Sequence, residues 1–295
     1  MLLAAAWVGA APPAAASPGG GRRVVSVVAA ENVWGSIAAQ IGGRHVRVVS
    51  LVTNPRADPH AYEPTAADAR AVARASVVIE NGIGYDPWMA QLLAADGGGP
   101  VVLDVGRLLG VAAGGNPHRW YDPADVRRVV ARVSADLARA DPADAAYFSR
   151  RRTWFLTVAL RGYDSVIAAI KARYAGTPVG ASESIFALMA PALGLRLVTP
   201  ATFLRAVSEG TDVSSSDTQV IDRQIRTHRI AVYVFNRQNV TPVVRVQLDE
   251  VRGAKIPVAG ITETLEPAGA TFQAWQTKQL RSVEAALAAA RGRVR

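Results

Sequence analysis

The sequence predicts an α/β protein built as two Rossmann-like parallel-sheet lobes joined by one long rigid helix, with an ion site in the cleft between them. Three observations predict it. Apolar runs of strand length alternate with helix-length segments on both sides of the chain's middle. The middle, from Ala143 to about Tyr174, contains one possible breaker, Gly162, and no proline. At 1.5 Å per residue its roughly 30 residues make a helix of roughly 45 Å, the length of a strut between lobes. Finally, two histidines stand in matching loop units, Asp58-Pro59-His60 and Asn116-Pro117-His118. Histidine is a natural metal ligand, and a preceding proline restricts the backbone that carries it.

Element by element, Val24 to Ala30 reads as a buried strand and Asn32 to Ile41 as a helix stopped by Gly42-Gly43. Val46 to Val52 is the second strand. Thr65 caps a helix, with Asp68 three residues on as a short-armed capping box. Ala75 to Glu80 is the third strand, Asn81-Gly-Ile-Gly84 a loop, Pro87 a helix start and Pro100 to Asp104 the fourth strand. Asp122-Pro123 and Asp141-Pro142 each open a helix, with Asp at the cap and Pro at the first helical position. Past Gly176, strands are expected at 178–182, 196–199, 230–236 and 256–262. Helices are expected at 184–193, 214–227, 241–252 and 271 to about 291. The division that follows is 1–23 as signal peptide and lead-in, 24–140 as the N-terminal lobe, 141–175 as the linking helix and 176–295 as the C-terminal lobe.

Composition narrows the function classes. Of 295 residues half are hydrophobic and 19% charged, a globular balance. The formal net charge is +9, but the arginines are scattered, and none of their clusters (Arg22-Arg23, Arg127-Arg128, Arg150 to Arg152) forms a stripe with interleaved aromatics, which argues against a nucleic-acid partner. The absence of cysteine excludes disulfides, thiolate metal sites, cysteine nucleophiles and a lipid-anchored cysteine within this sequence. Met1 to Ala16 is an apolar run ending in Ala14-Ala15-Ala16, which reads as an export signal, although a positive n-region is missing. The protein is therefore expected outside the cytoplasm, in the periplasm or at the extracellular face of the cell membrane.

Ligands of open parallel sheets sit beyond the carboxyl ends of the strands. His60 follows the second strand and His118 lies beyond the fourth. Glu183, in Ser182-Glu183-Ser184, ends the first strand of the second lobe. Two imidazoles and one carboxylate suit zinc or another divalent transition metal, and suit calcium poorly. The simpler role for His45 and His228 is structural, with His228 at a helix end. Asn32, Glu63 and Asp122 are candidates to orient the imidazoles.

The series DPHAYEPT, NGIGYDPW, NPHRWYDP, SES and PAGATFQAW, in this order over about residues 24–290, resembles the metal-specific solute-binding proteins of bacterial ABC importers, the zinc- and manganese-uptake group. The resemblance implies two α/β lobes joined by a long helix, a metal in the cleft, delivery to an ABC-transporter membrane permease, a monomer and no catalysis. Carried over by position, His60, His118 and Glu183 match family ligands. The fourth position departs: an aspartate of manganese-type members corresponds here to Ala270, which cannot bind metal. Glu263 and Asn236, both at carboxyl ends of second-lobe strands, are the candidate substitutes. The expected cargo is Zn2+, with Mn2+ the alternative. Because ligation needs neutral imidazoles and an ionised Glu183, affinity is expected to fall below about pH 6. The rival readings are a receptor for a larger metal chelate, an adhesin, and a metallohydrolase; the last lacks a His-Glu-x-x-His helix.

Overall fold

The computed structural model describes residues 24–54, 62–94 and 99–292. The signal-peptide reading falls on residues outside that set, and so does His60. Among the described residues there are eight strands: β1 (Val25–Glu31), β2 (Val46–Val52), β3 (Val77–Glu80), β4 (Val101–Asp104), β5 (Pro178–Ala181), β6 (Arg196–Leu197), β7 (Val232–Asn236) and β8 (Val258–Ile261). They form two four-stranded sheets of identical order, β2-β1-β3-β4 and β6-β5-β7-β8. Every pairing is parallel. In each sheet the chain runs outward from the first strand to the second, then returns to the other side of the first. A crevice opens where the order reverses, at the carboxyl ends of β1 and β3 and of β5 and β7. β1 is buried along nearly all its length, as a central parallel strand covered on both faces must be.

The helices are α1 (Asn32–Gly42), α2 (Ala66–Val72), α3 (Pro87–Ala94), α4 (Val105–Leu109), α5 (Pro123–Ala140), α6 (Ala145–Trp154), α7 (Arg161–Tyr174), α8 (Met189–Ala192), α9 (Ala201–Ser208), α10 (Ser215–Arg226), α11 (Pro242–Gly253) and α12 (Phe272–Gly292). Their starts follow local chemistry. Thr65 and Asp68 form a reciprocal capping box. The Asp122 carboxylate accepts from the amides of Ala124 and Asp125, Ser214 from that of Asp217, and Thr241 from that of Val244. The run from 145 to 174 is helical almost throughout, but α6 and α7 are separated by a π-helical stretch, Phe155–Ala159.

A single hydrophobic core crosses from one sheet to the other, including Trp34 and Trp120 on one side and Phe272, Trp275 and Leu287 on the other. α12 makes this possible. It packs on α7 and β8 and also reaches α1. Polar ties follow the same route: the Tyr121 hydroxyl donates to the Thr262 carbonyl at 2.7 Å, and the Phe272 amide donates to Ser36 Oγ at 3.0 Å. A third tie runs from the Leu265 amide to Asn32 Oδ1 at 3.1 Å. The junction is thus bridged both by apolar packing and by polar ties.

Candidate metal site in the interlobe cleft

Three side chains offer ligand atoms within 4.8 Å of one another, and all three are buried: His118, Glu183 and Glu263. His118 comes from the loop leading to α5, Glu183 from the end of β5 and Glu263 from the segment after β8. His118 Nε2 lies 3.8 Å from Glu263 Oε1. Ligands about 2.1 Å from a tetrahedral ion stand roughly 3.4 Å apart, so this spacing fits a small transition-metal ion.

The imidazole is oriented by its own loop. Its Nδ1 lies 2.9 Å from Asn116 Oδ1, which only accepts, so the proton belongs on Nδ1 and the Nε2 lone pair faces the carboxylates. Nε2 is buried and has no hydrogen-bond partner among the described residues. The other end of Asn116 donates across the cleft to the Ser184 carbonyl at 2.7 Å. Behind the ring, Tyr85 and Trp120 meet His118 edge-on, with ring centroids 5.9 and 5.5 Å away. The loop is pinned from below: Trp34 Nε1 donates to Asn81 Oδ1, and Asn81 Nδ2 donates to the Pro117 carbonyl.

The carboxylates are held by amides. Asn236 Nδ2 donates to Glu183 Oε1 at 2.7 Å and to Glu263 Oε1 at 2.8 Å. Asn239 Nδ2 donates to Glu183 Oε2 at 2.7 Å, and the Tyr85 hydroxyl donates to Glu263 Oε2 at 3.0 Å. Gln238 Oε1 accepts from the amides of Glu263 and Thr264 and fixes that segment. Burial pushes the Glu183 pKa well above the ordinary carboxylate range, and the negative charge of Glu263 pushes it further. Among the described residues no lysine or arginine pairs with Glu183. Two buried carboxylates side by side repel each other, and a divalent cation between them would relieve that repulsion.

Of the residues singled out from sequence, the structure brings together His118, Glu183 and Glu263. Asn236 sits among them, but its oxygen is turned away to accept from the Gln238 amide at 2.9 Å, so the group facing the carboxylates is a donor. Ala270 lies half-buried against the core, where an aspartate is expected in manganese-type chains. Among the residues considered for orienting the imidazoles, Asn32 holds the Leu265 amide, Asp122 caps α5, and Glu63 is exposed. Asn116 and Tyr85 had no local signature; Tyr85 marks only a helix start in sequence, and its partner Glu263 is 178 positions away. His45 instead pairs with Asp144 in a buried contact at 2.5 Å, a structural role. Beside Glu263 opens a cavity of about 720 Å3, walled by residues 83–84 and 114–117 of the first lobe and 201–210 of the second.

The profile of the family described as "Zinc-uptake complex component A periplasmic" matches residues 27–286. The chain belongs to this family of periplasmic uptake components. Its curated relatives include the manganese-binding lipoprotein MntA of Halalkalibacterium halodurans, 28% identical over 123 residues, 40% of each chain. The iron-binding protein YfeA of Yersinia pestis is 28% identical over 134 residues, 42% of each chain. These matches span about two fifths of the relatives' length. The periplasmic zinc-binding protein TroA of Treponema pallidum has the same fold, with a TM-score of 0.72 at 19% identity, covering 90% of this chain and 99% of that one. Two parallel α/β lobes with a long connecting helix are therefore the architecture shared with known metal-binding proteins.

Proposed function

We propose that this protein is an extracytoplasmic receptor that captures a divalent transition metal, zinc in preference to manganese, and delivers it to the membrane permease of an ABC importer. The carrying observation is the buried convergence of His118 Nε2, Glu183 and Glu263 at the lobe junction. One neutral nitrogen and two carboxylates would neutralise a dication while leaving room for a further ligand, with His60 the candidate from sequence. The relatives' names cover manganese, iron and zinc, so the fold leaves the ion open; the imidazole and the compact donor spacing favour zinc. The site is read as binding and release without chemistry, and the relatives' names give an adhesin role no support. Elemental analysis of purified protein beside His60→Ala, His118→Ala, Glu183→Ala and Glu263→Ala tests this. About one zinc per wild-type chain, lost in the variants, is expected; no metal after loading would refute it.

One observation favours a second reading, capture of the metal as a small chelate. The 720 Å3 cavity is far larger than an ion needs, and Arg205 on its wall makes no ion pair among the described residues. Native mass spectrometry with zinc and excess citrate separates the readings, since a chelate receptor retains the citrate and an ion receptor strips it.

A further inference from the structure

We infer that Asn236, Asn239 and Tyr85 are positioning residues that set the metal preference, by holding Glu183 and Glu263 as ligands through one oxygen each. The inference rests on the metal-receptor reading above. Each of the four carboxylate oxygens already accepts a hydrogen bond. Asn236 bridges the two Oε1 atoms at 2.7 and 2.8 Å. Asn239 holds Oε2 of Glu183 at 2.7 Å, and Tyr85 holds Oε2 of Glu263 at 3.0 Å. Each carboxylate is thus gripped at both ends by donors on different elements, so it cannot easily turn to bring both oxygens onto one ion.

The grips are themselves fixed. Asn236 accepts from the Gln238 amide at 2.9 Å and donates its own amide to Ser182 Oγ at 3.1 Å. Asn239 Nδ2 donates also to the Val207 carbonyl at 3.1 Å. Tyr85 is fully buried, with its ring against Trp120 at a centroid distance of 5.3 Å. It follows a backbone turn of three consecutive left-handed residues, Gly82, Ile83 and Gly84, at φ of 67°, 63° and 87°. For Ile83 that conformation is strained, which indicates that its surroundings impose this presentation of Tyr85.

The consequence is a limit on coordination number. Zinc is satisfied by four ligands with carboxylates bound through one oxygen. Manganese seeks a more oxygen-rich, octahedral shell, which two glutamates and a histidine approach only when the carboxylates chelate. Holding each carboxylate to one oxygen therefore penalises manganese more than zinc.

The test is the ratio of zinc to manganese affinity, measured by competition with a fluorescent chelator, for wild type, Tyr85→Phe, Asn239→Ala and the double variant. Manganese-edge X-ray absorption would report the coordination number. Tyr85→Phe keeps the buried ring and removes only the donor, so it guards against misfolding. The ratio is expected to narrow several-fold in each single variant and about tenfold or more in the double, with the manganese coordination number rising. A purely structural role would weaken both metals alike, and an unchanged ratio would overturn the inference. Wild type binding neither metal would instead overturn the receptor reading on which it rests, so the two failures are distinguishable.

Discussion

The two lobes repeat one topology and use it differently. Both sheets have the order second-first-third-fourth, and both place a glutamate at the carboxyl end of the first strand: Glu31 as the last residue of β1 and Glu183 just after β5. Both glutamates are buried. Around Glu183 stand amide donors, Asn236 and Asn239. Around Glu31 stand acids instead, Asp86 and Glu80. Burial first and the Asp86 charge second push the Glu31 pKa well up. Asp86 itself is committed to the amides of Asn81 and Gly82, which closes the turn beneath Tyr85. The topology therefore supplies a crevice in each lobe, and under the metal-receptor reading proposed above the neighbouring donors present Glu183, and not Glu31, as a ligand. In the first lobe Asp86 braces the turn that leads to Tyr85.

Breaking the ligand side of this comparison should have the largest effect. Glu183→Ala, Glu263→Ala or His118→Ala is expected to lower zinc affinity by more than the roughly 100-fold that loss of an outer partner costs, read by chelator competition. Comparable in energy but structural in kind, Trp120→Ala at the lobe junction should cost about 3–5 kcal/mol of stability in denaturant unfolding, because a fully buried indole leaves a cavity. Asn116→Ala removes the acceptor that sets the His118 tautomer and a cross-cleft bond, and should cost about 10- to 100-fold in zinc affinity with the fold intact by circular dichroism.

The acidic side of the comparison can be sharpened by pH. The Glu80 pKa is raised from 4.5 to about 7, by burial first and then by Asp86 and Asp104. Glu31 is raised in the same direction. A carboxyl with a raised pKa holds its proton more tightly folded than unfolded, so its contribution to stability falls as pH rises from the unfolded value through the folded one. The metal-free protein should therefore melt a few degrees lower at pH 8 than at pH 5.5. Glu80→Gln should flatten that slope, and an unchanged slope would mean that Glu80 titrates normally.

Much of the fold was legible in sequence because its signals are local. Alternating apolar runs marked the strands; Thr65 and Asp122 announced helices they do cap, whereas Asp141, expected to do the same, makes no side-chain capping bond and precedes only a short 3-10 turn, Pro142–Asp144. The expected helix from 184 to 193 divides instead into a 3-10 stretch, Ser184–Leu188, and the single turn α8. Pro191 explains this, since it lacks an amide and its ring clashes with the carbonyl four residues back. α9 gave no clear start signal, with Pro200 and no side-chain cap before it. In the site, strand-end position pointed to His118, Glu183, Glu263 and Asn236. It could not show which way the Asn236 amide points, because that is decided by the Gln238 backbone. Nor could it reveal Tyr85 or Asn239 as partners of the carboxylates: Tyr85 reaches Glu263 only when the lobes pack, and Asn239 reaches Glu183 only when β5 and β7 lie side by side.

The most direct test compares the two equivalent glutamates. Zinc stoichiometry would be measured by elemental mass spectrometry for wild type, Glu31→Gln and Glu183→Gln after loading and desalting. About one zinc per chain is expected in wild type and Glu31→Gln, and little or none in Glu183→Gln. Zinc retained equally by both variants, or lost equally from both, would contradict this expectation.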